Sequence, residues 1–198
     1  MRIGLTGSGA TGKSSLLQAL REDEYFKDFT FCGSVAREVF KKHGLSTETD
    51  QYQRTPEQNM LLQRDILATK CVQQNNVLGG LNVISDRILL DHYAYLCVRN
   101  TDVIDNDFFH STKKAVEHNI AQYDIIFYFE MFDDVRTEGF RDDSDTVRYT
   151  VDAVILRTLT GRRVSTKVVT VYNHLDVPQR VDLTKAIIDE FRRNRNEI

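Results

Sequence analysis

"GSGATGKSS" (residues 7–15) stands directly behind the short apolar run "RIGLT" (2–6), and this pair decides the fold. The stretch fits G-x-x-x-x-G-K-[ST], with Gly7, Gly12, Lys13 and Ser14 in the required places. Gly7, Gly9 and Gly12 let the backbone turn its N–H groups inward around a phosphate without Cβ clashes. Ser8, Ala10, Thr11 and Ser15 complete the loop. A helix starting near Lys13 would aim its positive dipole end at the same anion. The pattern predicts a nucleoside triphosphate site in which Lys13 reaches the β- and γ-phosphates and the Ser14 hydroxyl ligates Mg²⁺. It does not say which machine the loop serves.

Working outward, four further apolar, β-branched runs follow: "FTFCG" (29–33), "LNVISD" (81–86), "DIIFYFE" (124–130) and "KVVTVYN" (167–173). Each is nearly continuous in apolar character, as expected of strands covered on both faces by helices. Helical patterns fill 13–22, 34–43, 55–78, 88–98, 107–121, 145–160 and 179–195. The third has Thr55 as cap, Pro56 as first helical residue and Glu57 in the first turn, and it should end before Gly79-Gly80. This alternation predicts an α/β fold with a parallel sheet. No repeat or Pro-rich linker interrupts the chain, so residues 1–198 are expected to form one domain.

The 198 residues suit one domain with a real core, and 41% apolar with 28% charged residues is ordinary for a globular chain. A net charge of -3 argues against a broadly basic nucleic-acid surface, while a local basic groove stays open. Cys32, Cys71 and Cys97 lack metal-ligand spacing and are expected as small core residues in a reducing compartment. With no secretory pattern and no apolar run approaching ~18 residues, the expected location is cytoplasmic, with no membrane partner.

Asn173 and Asp176 in "VYNHLD" resemble a guanine-reading N-K-x-D with His174 replacing Lys, but a D-x-x-G after the middle strand would need glycine where Leu89 stands. A strand-ending Asn followed by a turn Asp explains both residues. An ABC or AAA+ motor would need a signature loop or helical lid domain for which the length leaves no room. A kinase fits better. In "NVISDRILLDHYAYL" (82–96), Asp86 and Arg87 close a strand and open a helix beside the loop. An acid there can hold Mg²⁺ through water or take the acceptor's proton, and the Arg can grip an acceptor oxygen or a phosphate. A surface ion pair capping the helix is the alternative. His92 is expected as a solvated or packed histidine in preference to a proton carrier. Arg136, Arg141 and Arg148 fall in a polar segment that turns helical, which suits a lid over about 136–160 that excludes water and meets developing charge. Its acids at 142, 143 and 145 suit a helix start.

The phosphate-binding loop, "AREV" (36–39), "SDRILLDHYAY" (85–95) and "EGFRDDSDTVR" (138–148), in this order, resemble the P-loop nucleoside and nucleotide kinases. The likeness is to the ATPase-like kinases that include nicotinamide riboside kinase domains, and more distantly to thymidylate and deoxynucleoside kinases. It covers nearly the whole chain. The resemblance implies a three-layer P-loop NTPase fold with a five-stranded parallel sheet and a small helical lid, ATP and Mg²⁺ as cofactors, and Arg141 as a lid arginine. It places Asp86 and Arg87 at the metal and acceptor site. That family's E-x-x-R carries its acid where Ser34 stands, ahead of Arg37. Arg37 could still reach the acceptor, and general-base duty shifts to Asp86, with Glu38 as second candidate. An exposed Arg37/Glu38 helix pair is the other reading.

The acceptor pocket is expected from 55–78 and the start of 87–98, with Gln58, Gln63 and Arg64 as candidates and Tyr93 for base stacking. The donor base is expected near 173–180, and the basic tail from 192 onward as a frayed, solvated end. The expected function is ATP- and Mg²⁺-dependent phosphoryl transfer to a hydroxyl or phosphate of a nucleoside or nucleotide. The catalytic set is Lys13, Asp86, Arg87, Arg141 and Arg37, with Ser14 and Asp86 at the metal. A polynucleotide or a hydroxymethylated base in DNA is the rival acceptor, and a nucleotide switch without an acceptor is the third reading. Monomer and homodimer both remain open.

Overall fold

The structure is a computed structural model that describes residues 1–47, 49–77, 82–99, 105–132, 145–161 and 164–196. Its strands are β1 (Arg2–Thr6), β2 (Thr30–Cys32), β3 (Val83–Asp86), β4 (Ile125–Phe129) and β5 (Lys167–Val171). The helices are α1 (Lys13–Glu22), α2 (Ala36–Lys42), α3 (Pro56–Val77), α4 (Leu89–Arg99), α5 (Asn106–Ile120), α6 (Asp145–Leu159) and α7 (Val177–Asn196). Every strand pairing is parallel, in the order β2-β3-β1-β4-β5. This is the three-layer α/β architecture expected from the sequence.

The order places β1 between β3 and β4, so the chain switches direction of travel across the sheet at β1. A crevice opens at the carboxyl ends of strands at such a point. Register fixes what meets there: Leu5 pairs with Asp86, and Thr6 with Tyr128. The loop after Thr6 therefore leaves the sheet between the ends of β3 and β4.

Both sheet faces are covered because successive side chains of a strand point to opposite faces. Ile3, Leu5, Ile84, Ile125, Phe127 and Phe129 pack with α1 and α7 residues such as Leu16, Leu20 and Ile188. Ile126 and Tyr128 face the other way, into a cluster with α3, α4, α5 and α6. Gly4 lies on that second face, where a Cβ would come within 2.6 Å of Ile88 Cγ2. The cover is incomplete at the edges, contrary to expectation. On β5, Val168 and Thr170 are exposed, and Thr30 is exposed on β2. Edge strands have a neighbour on one side only, which leaves part of each open to solvent.

Three local expectations resolve differently from one another. At α3, Thr55 Oγ1 accepts from Gln58 N and Gln58 Oε1 accepts from Thr55 N, a reciprocal capping box. Gln58 is thus occupied at the helix start and does not line the acceptor pocket. The basic tail is not frayed as far as Asn196: Arg192 donates to Tyr25 Oη, and Arg195 pairs with Asp124 at 2.8 Å. Of the cysteines only Cys32 is buried, while Cys71 and Cys97 are half-exposed. Residues 136–144 of the expected lid lie outside the described residues, so of that segment only α6 is seen.

A buried polar chain ties three helices together behind β4. Gln74 Nε2 donates to Tyr123 Oη at 2.6 Å, Asn119 Nδ2 donates to Gln74 Oε1 at 2.8 Å, and Leu89 N donates to Asn119 Oδ1 at 3.3 Å. Asn119→Ala removes the middle of this chain and strands the Leu89 amide and the Gln74 carbonyl. We expect it to cost about 1–3 kcal/mol in denaturant unfolding without changing nucleotide affinity.

Candidate active site

The loop after β1 takes its shape from three positive φ angles. Gly7, Ala10 and Gly12 have φ of 140°, 59° and 85°. At Gly12 a side chain is doubly excluded, because a Cβ would also approach Arg180 Nη1 to 2.5 Å. Gly12 is the N-cap of α1, no side chain caps the helix, and its first turn has no acid. The amides there are left for an anion. Lys13 is buried and folds back over the loop, where Nζ donates to Gly7 O (2.8 Å), Ser8 O (2.6 Å) and Thr11 Oγ1 (2.7 Å). Ser8 Oγ is buried with no partner among the described residues, an unanswered hydroxyl inside a cradle suited to phosphate oxygens.

Asp86 and Arg87 stand at the end of β3, as the sequence places them. Ser14 Oγ donates to Asp86 Oδ2 at 3.3 Å, setting two hard oxygen ligands side by side. Mg²⁺ favours such donors and usually retains waters while leaning on substrate phosphates, so this pair fits it. Among the described residues no group of three or more His, Cys, Asp or Glu could hold a metal alone. The ion would therefore depend on the phosphates it accompanies. Arg87 adopts φ 57°, a left-handed conformation that is costly for a long side chain. The turn directs its guanidinium toward Asp91, with Nη1–Oδ1 at 3.6 Å, and over the Tyr95 ring at 5.5 Å.

Two residues that sequence reasoning passes over hold this junction. Asp91 has no exposed surface, and it accepts from Gly7 N (3.3 Å) and Ile88 N (2.9 Å). Burial pushes its carboxyl above the ordinary value, while Arg87 and Lys13 pull it back. Lys70, in the middle of α3, is also fully buried and donates to Gly33 O at 3.3 Å and Asp86 O at 3.1 Å. It clamps the ends of β2 and β3 together. Burial lowers its pKa to about 8, against weaker support from Cys32 and Asp86.

A cavity of about 360 Å³ adjoins this junction, with Ser14 and Asp86 in its wall. Arg37 and Gln63, two of the residues expected near an acceptor, line it, together with Ser34, Tyr95, His92 and Arg99. Glu38 does not; it pairs with Lys42 at 2.7 Å on the exposed face of α2. Arg64 does not either, lying exposed over the Phe108 ring at 4.4 Å. Tyr93 is buried against Phe109 on the opposite side of α4, so the aromatic wall is Tyr95 instead. Residues 92, 95 and 99 share one helical face, a 3–4 spacing that would have selected Tyr95 over Tyr93. A larger cavity, about 590 Å³, lies on the Tyr93 side among α4, α5 and α6, and contains no residue of the phosphate-binding loop.

Across the loop from the cavity beside Ser14 and Asp86, Arg180 is buried between Phe129 and Phe132, at 5.6 and 5.5 Å from the ring centroids, and Nη1 donates to Thr11 O at 2.9 Å. The stretch 173–180 thus covers the loop from one side. Asn173 Nδ2 donates to Met131 O, and Asp176 exchanges hydrogen bonds with Gln179 at the start of α7. Both residues of the would-be guanine motif are occupied by structure. Arg148 faces inward, buried, with Nη2 donating to Phe132 O and Nη1 paired with Asp145. Arg136 and Arg141 lie outside the described residues. Among those residues, no helix is long and apolar enough to cross a membrane.

Residues 2–180 match a family model described as an AAA domain. No curated protein sequence matches. Among solved structures, a deoxyadenosine kinase from M. mycoides with bound dATP aligns at TM-score 0.69 and 14% identity, covering 96% of this chain and 99% of that one. A thymidylate kinase from Candida albicans aligns at TM-score 0.64 and 13% identity, covering 96% and 92%. At such identities the likeness is one of fold. The family match spans residues 2–180, so length does not separate the chain from this family, contrary to expectation.

Lys70 supplies a pH signature. Its folded-state pKa of about 8 lies below the unfolded value of 10.5, so between these values the unfolded chain binds more protons. Stability should therefore rise with pH across that window relative to Lys70→Met, measured by urea unfolding at pH 7.5 to 10.5. A flat difference between the two proteins would contradict a buried ammonium.

Proposed function

The chain belongs to the AAA domain family, and from that premise we propose that it is an ATP- and Mg²⁺-dependent kinase of a nucleoside or nucleotide. One observation carries this reading. The Ser14–Asp86 pair that fits the metal also forms part of the wall of the 360 Å³ cavity, so a donor held by the loop and an acceptor in the cavity would meet at one point. A switch without an acceptor has no need of a second, Arg-lined cavity opening onto its metal ligands. The whole-length likeness of fold to a deoxyadenosine kinase and a thymidylate kinase supports the same reading.

The chemistry follows from the residues. The loop amides and Lys13 hold the triphosphate, with Lys13 exchanging its contacts on Gly7 and Ser8 for phosphate oxygens. Mg²⁺, when bound at Ser14 and Asp86, neutralises charge on the donor phosphates. Asp86 is placed to take the proton of a hydroxyl acceptor. Arg87 and Arg37 flank the path of the phosphoryl group, where their charge counters what builds up on its oxygens. Arg141 is proposed to add a further cation from the lid. Tyr95 gives the acceptor base a flat surface.

Asp86→Asn should lower kcat by about 100-fold or more while leaving ATP binding within a few-fold. Unchanged turnover would remove Asp86 from the mechanism. Lys13→Ala should instead weaken ATP binding and slow transfer together, as read by calorimetry and by release of labelled γ-phosphate to an acceptor.

A further inference from the structure

A carboxylate with no part in phosphoryl transfer stands beside the phosphate-binding loop. Asp152 lies on α6, and its Oδ2 accepts from Tyr128 Oη at 2.8 Å. Tyr128 pairs in register with Thr6, the last residue before the loop, so this bond ties α6 to the point where the loop departs. The other oxygen, Oδ1, is buried and has no hydrogen-bond partner among the described residues. Burial pushes this carboxyl above its ordinary value. The Tyr128 hydroxyl, the Lys13 ammonium and the Ser8 amide favour its charged form, while Glu130, just past β4, opposes it. Arg148, one turn earlier on α6, has its Nη groups on Asp145 and Phe132 O. From α4, Asp91 holds the loop at Gly7 N.

A buried carboxylate oxygen that no donor answers is sustained only beside positive charge. Here that charge is Lys13, whose ammonium is folded onto Gly7 O, Ser8 O and Thr11 Oγ1. The same ammonium is what a triphosphate in the loop has to engage. Binding therefore turns the supporting cation away from Asp152 and brings phosphate oxygens into the loop beside it. Asp91 is protected from this change, because Gly7 N, Ile88 N and Arg87 all continue to answer it. Asp152 keeps a single close donor, Tyr128 Oη. We infer that Asp152 takes up one proton when a nucleoside triphosphate fills the loop, so that donor binding is coupled to pH through α6. The inference rests on the nucleotide-binding half of the kinase reading and adds a regulation that transfer itself does not require.

No bond at phosphorus is involved. One proton passes from solvent to the carboxylate, and the neutral acid then offers a hydrogen where the anion had a lone pair. The sign follows from linkage. The nucleotide-bound protein holds the extra proton, so affinity falls as pH rises through the window where only the bound form is protonated. Below that window both forms carry the proton, above it neither does, and affinity levels off at each end. Tyr128 donates to the ionised carboxylate, so losing its hydroxyl moves the window to higher pH.

The experiment is calorimetric binding of the Mg²⁺ complex of adenosine 5′-(β,γ-imido)triphosphate, which cannot transfer its terminal group, from about pH 5 to 8.5. Titrations in two buffers of different ionisation heat count the protons taken up by the unmutated protein and by Asp152→Asn. Protons exchanged by the analogue itself enter both proteins alike. Asparagine is a permanent donor, so Asp152→Asn should bind about tenfold more tightly than the unmutated protein at the alkaline end and equally at the acid end. The unmutated protein should show the additional proton uptake between these ends, and Tyr128→Phe should shift its midpoint upward. A residue that only holds α6 in place would weaken binding at every pH on change to Asn, and that result overturns the inference. Equal proton uptake by the two proteins overturns it as well. Should Asp152→Asn fail to fold, an unmoved midpoint in Tyr128→Phe is the overturning result. Each of these leaves the kinase reading standing, whereas a folded unmutated protein that binds no nucleotide overturns both.

Discussion

A carboxylate with no exposed surface joins the two halves of the site. Asp91 holds the first amide of the phosphate-binding loop with one oxygen and the first turn before α4 with the other, and it faces the Arg87 guanidinium. An ion removed from water at this depth is costly, and the amides and the arginine offset that cost only in one arrangement. The loop cannot shift without unsatisfying Asp91, and Arg87 cannot relax from its left-handed turn without losing its partner. The phosphate-binding loop and the cavity wall beside Arg87 are therefore positioned by a single buried carboxylate. Lys70 does the corresponding work across the next strand, holding the carbonyls of Gly33 and Asp86.

Much of this organisation is legible in the sequence, for definable reasons. The loop could be read because it needs glycine at fixed places and lysine at one, and no other arrangement meets the steric and charge demands. The strands could be read because burial on both faces leaves almost nothing polar inside them. Asp86 and Arg87 could be read because they sit where an apolar run ends. Lys70 and Asp91 could not. Each is a charged residue on a helix, where the ordinary expectation is solvent, and only the tertiary packing shows that α3 and α4 turn these positions inward.

The misassigned residues have a similar cause. Tyr93 and Tyr95 are both plausible aromatic walls in the sequence, and two residues on a helix lie on nearly opposite sides. Which one lines the cavity beside Ser14 and Asp86 is decided by α5, whose Phe109 takes Tyr93. Gln58 was lost to a capping box, Glu38 to a lysine one turn on, and Arg64 to the ring of Phe108. In each case a local or cross-helix partner claims a side chain that spacing alone leaves free. The edges follow another rule: β5 has the composition of a central strand but borders solvent, because sheet order depends on long-range pairing that composition does not encode.

Lys13 adds a final point. Its ammonium is already satisfied by Gly7 O, Ser8 O and Thr11 Oγ1, so the loop carries an internal stand-in for the ligand it is built to hold. These bonds tie one ammonium to both ends of the loop, at Gly7 and Thr11, so charge and backbone curvature are fixed together. Any anion that draws the ammonium away must replace two carbonyls and a hydroxyl. A substitution that moved one of these acceptors would therefore shift the position of the charge together with the curve of the backbone.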